Sequence, residues 1–387
     1  MADAFAAVVR AEPEGRLLRP PYVPPTPHTI GKRHHVVRAT ALPDPVLDTL
    51  FGHGAVHTLD GEAHRIRKAM FLSLLKNAEG VAALAELIRA RFLAAVTSRR
   101  RERLVLFDAT ADALALAVCE WAGLPLADTA VSDMARDCTA MVDGFASPGP
   151  RHVRSCRARA RQERALAELV TDVRATRADA VTSGSTLGTV ARHRDVDGNL
   201  LDPRVAAVEL LNVIRPTIAI AWFATFAAHA LHRWPHHLDL LRSGGGGGHA
   251  VAFADEVRRF HPFAPFVGGL AARDLEWRGE EIAQGTLVLL DLYGQNHDPA
   301  LWTNPYRFDP NRFTGPHSPL DALVAQGGGD PARGHRCPGE DITVTALAVI
   351  ATELARLDFD VPEQDLTIPL SRIPTLPRSG FELILRP

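Results

Sequence analysis

The sequence predicts a mainly α-helical protein with a small β portion, organised as one large domain. Two observations carry this. From Pro45 to the glycine run at Gly244, apolar residues recur at three- and four-residue spacing, the period of helices with one buried face. Turn-punctuated strand signals come only after that run, from Leu275 to Leu292 and again from Leu366 to Leu385. No internal repeat divides the 387 residues, so residues 38–387 read as a single unit. Residues 1–37 form a short proline-rich segment, in which Pro20, Pro21, Pro24, Pro25 and Pro27 preclude a helix.

The elements follow in order. Ala63 to Leu75 reads as a basic-faced helix, and Glu79 to Thr97 as a second one. Phe107 to Ala122, Thr129 to Val142 and Cys156 to Thr176 continue the series. Val205 to Ala230 is apolar all round, which places it at the centre of the fold. The run Gly244 to Gly248 lacks the Lys-Ser/Thr ending of a phosphate-binding loop and reads as a connector. A short helix is expected around Asp255 to Phe260. Strands between Leu275 and Leu292 are split by turns at Arg278-Gly279 and Gln284-Gly285. Asn304 to Arg336 is irregular, and Thr343 to Leu357 is the last helix.

Composition removes several function classes. The chain is 46% hydrophobic and 23% charged, which suits a packed globule and not a disordered segment. A net charge of -2 leaves no basic excess for nucleic acid. The longest apolar stretch, Ile218 to Ala228, is shorter than the roughly 18 residues of a membrane span. The start, MADAFAAVVRAEPEG, lacks the basic and apolar regions of a signal peptide, so the bacterial cytoplasm is the expected location. Cys119, Cys138, Cys156 and Cys337 show no CxxC pairing, which argues against a disulfide framework and a zinc site. Only Lys32, Lys68 and Lys76 are lysines among the 43 basic residues, a coding bias of a high-GC bacterium and not a functional signal.

Cys337 ends the glycine-rich loop Gln326-Gly-Gly-Gly-Asp-Pro-Ala-Arg-Gly-His-Arg-Cys337, just before a helix. Arg333, His335, Arg336 and the helix N-terminus favour its thiolate, which suits a metal-bound sulfur or a nucleophile; a buried structural cysteine is the alternative. Glu256 and Arg259 stand three apart on one helix, where they can pair. Arg312 lies in the irregular loop Asn304-Pro-Tyr-Arg-Phe-Asp-Pro-Asn-Arg312. In the central helix, Arg215 and Pro216 interrupt an apolar run. A guanidinium there needs an anion, either a substrate carboxylate or an internal acid such as Glu209.

The order ExxR, arginine loop, cysteine loop resembles the cytochrome P450 superfamily. That resemblance implies a cytochrome P450 fold with the N-terminal part shortened. It implies haem b with Cys337 as the axial thiolate ligand of the iron, and a buried structural network of Glu256, Arg259 and Arg312. Arg215-Pro216, standing where monooxygenases carry an acid and an alcohol, resembles the fatty-acid peroxygenase branch. Phe51 to Lys68, Trp277-Arg-Gly, Gly285 to Pro299 and Pro374 to Phe381 are similar to that branch, so the likeness covers roughly residues 38 to 385. Asp330 replaces the superfamily's usual phenylalanine before the cysteine.

The branch implies that hydrogen peroxide drives hydroxylation of long-chain fatty acids at the α or β carbon, or decarboxylation to a terminal alkene, with no obligatory redox partner. Arg215 would grip the substrate carboxylate, with Pro216 kinking the helix beside it. His57 would tilt the outcome toward alkene. His64, Arg67 and His335 would contact the haem, with Lys68 the alternative to Arg67. Leu50, Phe51, Val142, Phe263 and Phe266 are expected substrate-channel walls, core packing being the alternative. The rival functions are a reductase-dependent monooxygenase, a haem-binding sensor and an inactive paralogue.

Overall fold

Helices arise where the apolar period and the local capping agree. The computed structural model describes residues 42–98, 101–145, 147–176, 184–243, 248–271, 273–277, 279–315, 319–327, 330–332, 334 and 336–386. The proline-rich segment 1–37, the glycines 244–247, and Arg278, Arg333 and His335 lie outside the described residues.

A helical turn, Asp44–Val46, runs into the wider turn Leu47–Phe51. The main helices are α1 (Gly61–Leu75), α2 (Ala78–Thr97), α3 (Leu106–Ala122), α4 (Asp128–Gly144), α5 (Pro150–Ala175) and α6 (Thr186–Ala191). They continue with α7 (Pro203–Ile218), α8 (Ile220–Arg233), α9 (His236–Arg242), α10 (His249–Phe260), α11 (Leu292–Asn296) and α12 (Glu340–Arg356). Asn77 caps α2 by accepting from the Glu79 N–H. Asp202 caps α7 by accepting from the Arg204 N–H, and Pro203 follows at the position where its missing donor costs nothing. Gly123 closes α3 at φ 76°, a left-handed conformation that glycine adopts without a Cβ penalty.

The central helix is not continuous. Pro216 lacks the N–H that would reach the Asn212 carbonyl. The helical path breaks at Ala219, three residues further on, and resumes as α8. Both pieces are almost wholly buried: Leu210, Leu211, Ile214, Phe226 and Ala227 have no exposure. α7 packs on α5 and α3, while α8 packs on α12 and α3. Pro203–Arg233 is long and apolar enough to cross a membrane, but 89% of its apolar window lies inside the protein. It is the core helix pair.

The β portion is small. β1 (Arg103–Val105), β7 (Glu382–Leu385) and β6 (Phe359–Asp360) form an antiparallel sheet in the order β1-β7-β6. β2 (Phe266–Leu270) pairs antiparallel with β5 (Leu287–Asp291), Phe266 opposite Asp291. β3 (Leu275–Trp277) pairs with β4 (Glu280–Ile282). By pattern, short strands are expected between Leu366 and Leu385. Among these residues only Glu382–Leu385 is a strand, and its partner β1 lies far upstream, which local pattern does not reveal.

Candidate functional site

Four parts of the chain meet around the central helix: the turn at 50–58, α1, the loop before α12, and α10. Each is positioned by a side-chain network rather than by regular structure.

Cys337 sits at the end of its loop with its N–H donating to the Gln326 carbonyl at 3.1 Å. Its sulfur receives the Gly339 N–H and stands 3.7 Å from Gln326 Nε2, which also donates to Thr343 Oγ1. Burial pushes the Cys337 thiol pKa up. The Gly339 N–H and the Lys68 and Arg258 cations pull the other way, less strongly than burial. Of the three neighbouring bases expected to favour the thiolate, Arg333 and His335 lie outside the described residues. The third, Arg336, turns away to Glu340, at 2.7 Å. A desolvated sulfur ringed by N–H donors suits a metal, which displaces the proton on binding.

The loop is tied to the rest of the molecule by charge. Glu340 holds Arg336 on one side and the buried Arg258 on the other. Arg258 reaches back to Asp255 at 2.6 Å on α10. Lys68 on α1 donates to the Arg336 carbonyl at 2.7 Å, which places α1 beside the cysteine loop.

The ExxR pair is formed as expected. Arg259 Nε and Nη2 meet the two oxygens of Glu256 at 2.7 and 2.8 Å, with neither residue exposed. Asp309 N–H donates to Glu256 at 2.7 Å, and Arg312 Nε lies 3.6 Å from the same carboxylate. Arg312 also ties down the loop by donating to the Thr303, Asn304 and Arg307 carbonyls.

Arg215 is 4% exposed, and its Nη1 has no hydrogen-bond partner. Among the described residues no carboxylate lies within ion-pair distance of it. Glu209, the internal acid weighed as its partner, binds Arg67 at 2.7 Å instead. Burial, and after it the Arg159 guanidinium, lowers the Arg215 pKa to about 9. A cation so placed gains by meeting an anion. Its guanidinium carbon stands 5.8 Å from the Phe51 ring centre, and the Phe51 and His57 rings are 4.2 Å apart. Phe51 is thus the bridge between Arg215 and His57. Gly52 follows because Arg159 Nη2 would lie 2.1 Å from any Cβ there, and its φ is 85°.

Other expected site residues are placed differently. Arg67 pairs with an internal acid. Its side chain is 8% exposed and committed to Glu209, because a sealed carboxylate demands a counter-ion. His64 and Lys68 are buried on the same helix. Val142 is 3% exposed within the core, and Phe263 packs on Trp222 and Phe223 of α8 at 5.9 and 5.0 Å, so core packing accounts for both. Leu50 and Phe266 are half-buried. Arg159 and Asn212 carry no sequence signal that marks them as part of the site. Arg159 is hidden in an arginine-rich helix, where composition does not separate a buried arginine from its solvated neighbours; Asn212 is a polar residue in an apolar run.

The Cytochrome P450 family profile matches residues 251–383. The structure of cytochrome P450SP alpha (CYP152B1) aligns with a TM-score of 0.85 and 42% identity, covering 90% of this chain and 85% of that one. Cytochrome P450 OleT, in a complex with arachidonic acid, aligns with a TM-score of 0.84 and 35% identity over 90% and 83%. Cytochrome P450 4A7 of Oryctolagus cuniculus is 29% identical over 134 residues, a match that spans 34% of this chain and about a quarter, 25%, of that relative. The chain belongs to the cytochrome P450 family, and within it sides with the CYP152 members. Thiolate-ligated haem is the cofactor of this family, and the donor set around Cys337 fits it.

Proposed function

We propose that this protein is a peroxygenase that uses hydrogen peroxide to hydroxylate long-chain fatty acids at the α or β carbon, or to decarboxylate them to terminal alkenes. Arg215 is the observation that carries the reading. It is a buried guanidinium with an unpartnered Nη1, in the helix where an acid–alcohol pair would serve dioxygen chemistry. Cys337 would hold the haem iron, and His64 and Lys68 would meet its propionates. The haem, when bound, supplies the oxidising centre.

The chain's own residues do the rest. Arg215 grips the substrate carboxylate through two parallel N–H bonds. Fixing one end of the chain fixes which carbons can react. The held carboxylate stands in for the missing acid–alcohol pair as a proton carrier. Phe51, against Arg215, forms the wall beside the head group, with Leu50 and Phe266 lining further along the chain. His57, its ring tilted against that of Phe51, can hold or give a proton at a ring nitrogen and favours alkene over hydroxy acid. A reductase would be unnecessary, and the bacterial cytoplasm is the proposed location.

The test is product analysis by mass spectrometry. Haem-loaded protein is mixed with palmitic acid and hydrogen peroxide, with no reductase. Hydroxy acid or a one-carbon-shorter alkene is the expected result. No product from protein with a normal thiolate-haem spectrum would refute the reading.

A further inference from the structure

Phe51 ends the helical turn Leu47–Phe51 and His57 lies in the next one, Val56–Thr58; side chains from three helices pin the backbone of both and of the link between them. Arg159 Nη1 on α5 donates to the Leu50 carbonyl at 2.8 Å. Asn212 Nδ2 on α7 donates to the Phe51 carbonyl at 3.0 Å. Arg67 Nη1 on α1 reaches the Gly54 carbonyl at 3.5 Å. The Val56 N–H donates to Glu209 Oε1 at 2.8 Å.

Glu209 differs in kind from the other pins. It is a carboxylate with no solvent exposure. Its Oε1 also accepts from Arg67 Nη1 at 2.7 Å, and its Oε2 accepts from Asn212 Nδ2 at 3.3 Å. One acid therefore gathers donors from α1, from the turn and from its own helix. A carboxylate so deeply buried is costly unless each of these donors stays in place. Glu209 also precedes Arg215 by six residues on one helix. At 1.5 Å of rise per residue, that is about 9 Å along a rigid rod. The turn and the anchoring guanidinium are thus referred to the same element.

We propose that Glu209 is a positioning residue: its carboxylate, clamped by Arg67 and Asn212, sets where residues 52–58, and with them His57, stand relative to Arg215. The proposal rests on the reading of Arg215 as the fatty-acid anchor. It goes beyond that reading by placing control over the oxidised carbon on a residue two turns away. Small displacements of a positioning group are enough to change which atoms react.

The test removes one bond at a time. Val56→Pro deletes the N–H that Glu209 receives. Val56 opens its own turn, and Ala55 before it has φ -65° and ψ 156°, the extended conformation that a following proline requires. Glu209, Arg67 and Arg215 stay untouched. As a second variant, the double substitution Arg67→Met with Glu209→Met removes the acceptor without stranding a buried charge. Haem-loaded protein is read by hydrogen exchange of amides 53–55 and 57–59, by palmitic acid titration, and by product distribution with hydrogen peroxide.

Both variants are expected to exchange these amides about tenfold faster, as the loss of one hydrogen bond implies. The product distribution should shift about threefold while palmitic acid affinity stays within about threefold of wild type. Unchanged exchange and unchanged products in both variants overturn the proposal. An affinity loss as large as that of Arg215→Leu also overturns it, because Glu209 would then act on the anchor. Faster exchange in a protein whose wild type yields no fatty-acid product upholds the positioning and refutes the anchor reading.

Discussion

At the residue scale, the site is a set of buried charges with unequal pairing. Cys337 is a buried sulfur that faces the Gly339 N–H and Gln326 Nε2. Cys337→Ala should abolish the red-shifted band of the reduced carbon monoxide complex that marks thiolate ligation; survival of the band would remove the ligand assignment. Arg215 is a buried cation that no carboxylate meets among the described residues. Arg215→Leu removes two charge-assisted hydrogen bonds, each about 1.5–3 kcal/mol, so palmitic acid turnover should fall about a hundredfold or more. Unaltered turnover would refute carboxylate anchoring. His57→Gln should move products from alkene toward hydroxy acid, and a constant ratio in mass spectrometry would strip His57 of that role.

At the element scale, position is set by carboxylates that join one segment to another. Glu256 binds Arg259 on its own helix and the Asp309 N–H on the following loop. Removing one member of such a buried pair strands the other, at a cost of about 3–5 kcal/mol. Glu256→Ala should therefore lower haem content and melting temperature together; a variant that melts and loads haem like wild type would deny the network its role. The ExxR spacing was legible because three residues bring both side chains to one helix face. Glu209 was legible only as an acid in an apolar helix. Which of two arginines it would meet depended on how α1 crosses α7, and sequence spacing does not contain that crossing. The pairing of Arg67 with Glu209 was hidden for the same reason.

At the scale of the whole molecule, a belt of histidines is folded in neutral form. Burial, before any neighbouring charge, lowers the pKa of His229, His237 and His297 to about 4, and holds that of His261 well below the ordinary histidine range. In the unfolded chain a histidine titrates near about 6.5. Between these values the unfolded state binds more protons, so stability is full above the unfolded pKa and falls as pH drops toward the folded one. The melting temperature of the haem-loaded protein should be several degrees lower at pH 5 than at pH 7.5. A flat profile across that range would show that these rings are not held neutral.

Much of the architecture was present in one dimension. Helical period, the apolar central segment and the break expected from Pro216 are local consequences of side-chain spacing and a missing donor. The order of ExxR, Arg312 and Cys337 carried the family likeness, because each motif is short and its chemistry demands particular residue types. Pairing across the fold was not local. The partnership of β1 with β7, the commitment of Glu209 to Arg67, the lack of a carboxylate beside Arg215 and the Phe51 bridge to His57 all join residues far apart in the chain. Only packing decides such contacts. A buried charge takes whichever partner the assembled helices bring within reach, and one left without a carboxylate, as Arg215 is among the described residues, is where an anionic substrate would be met.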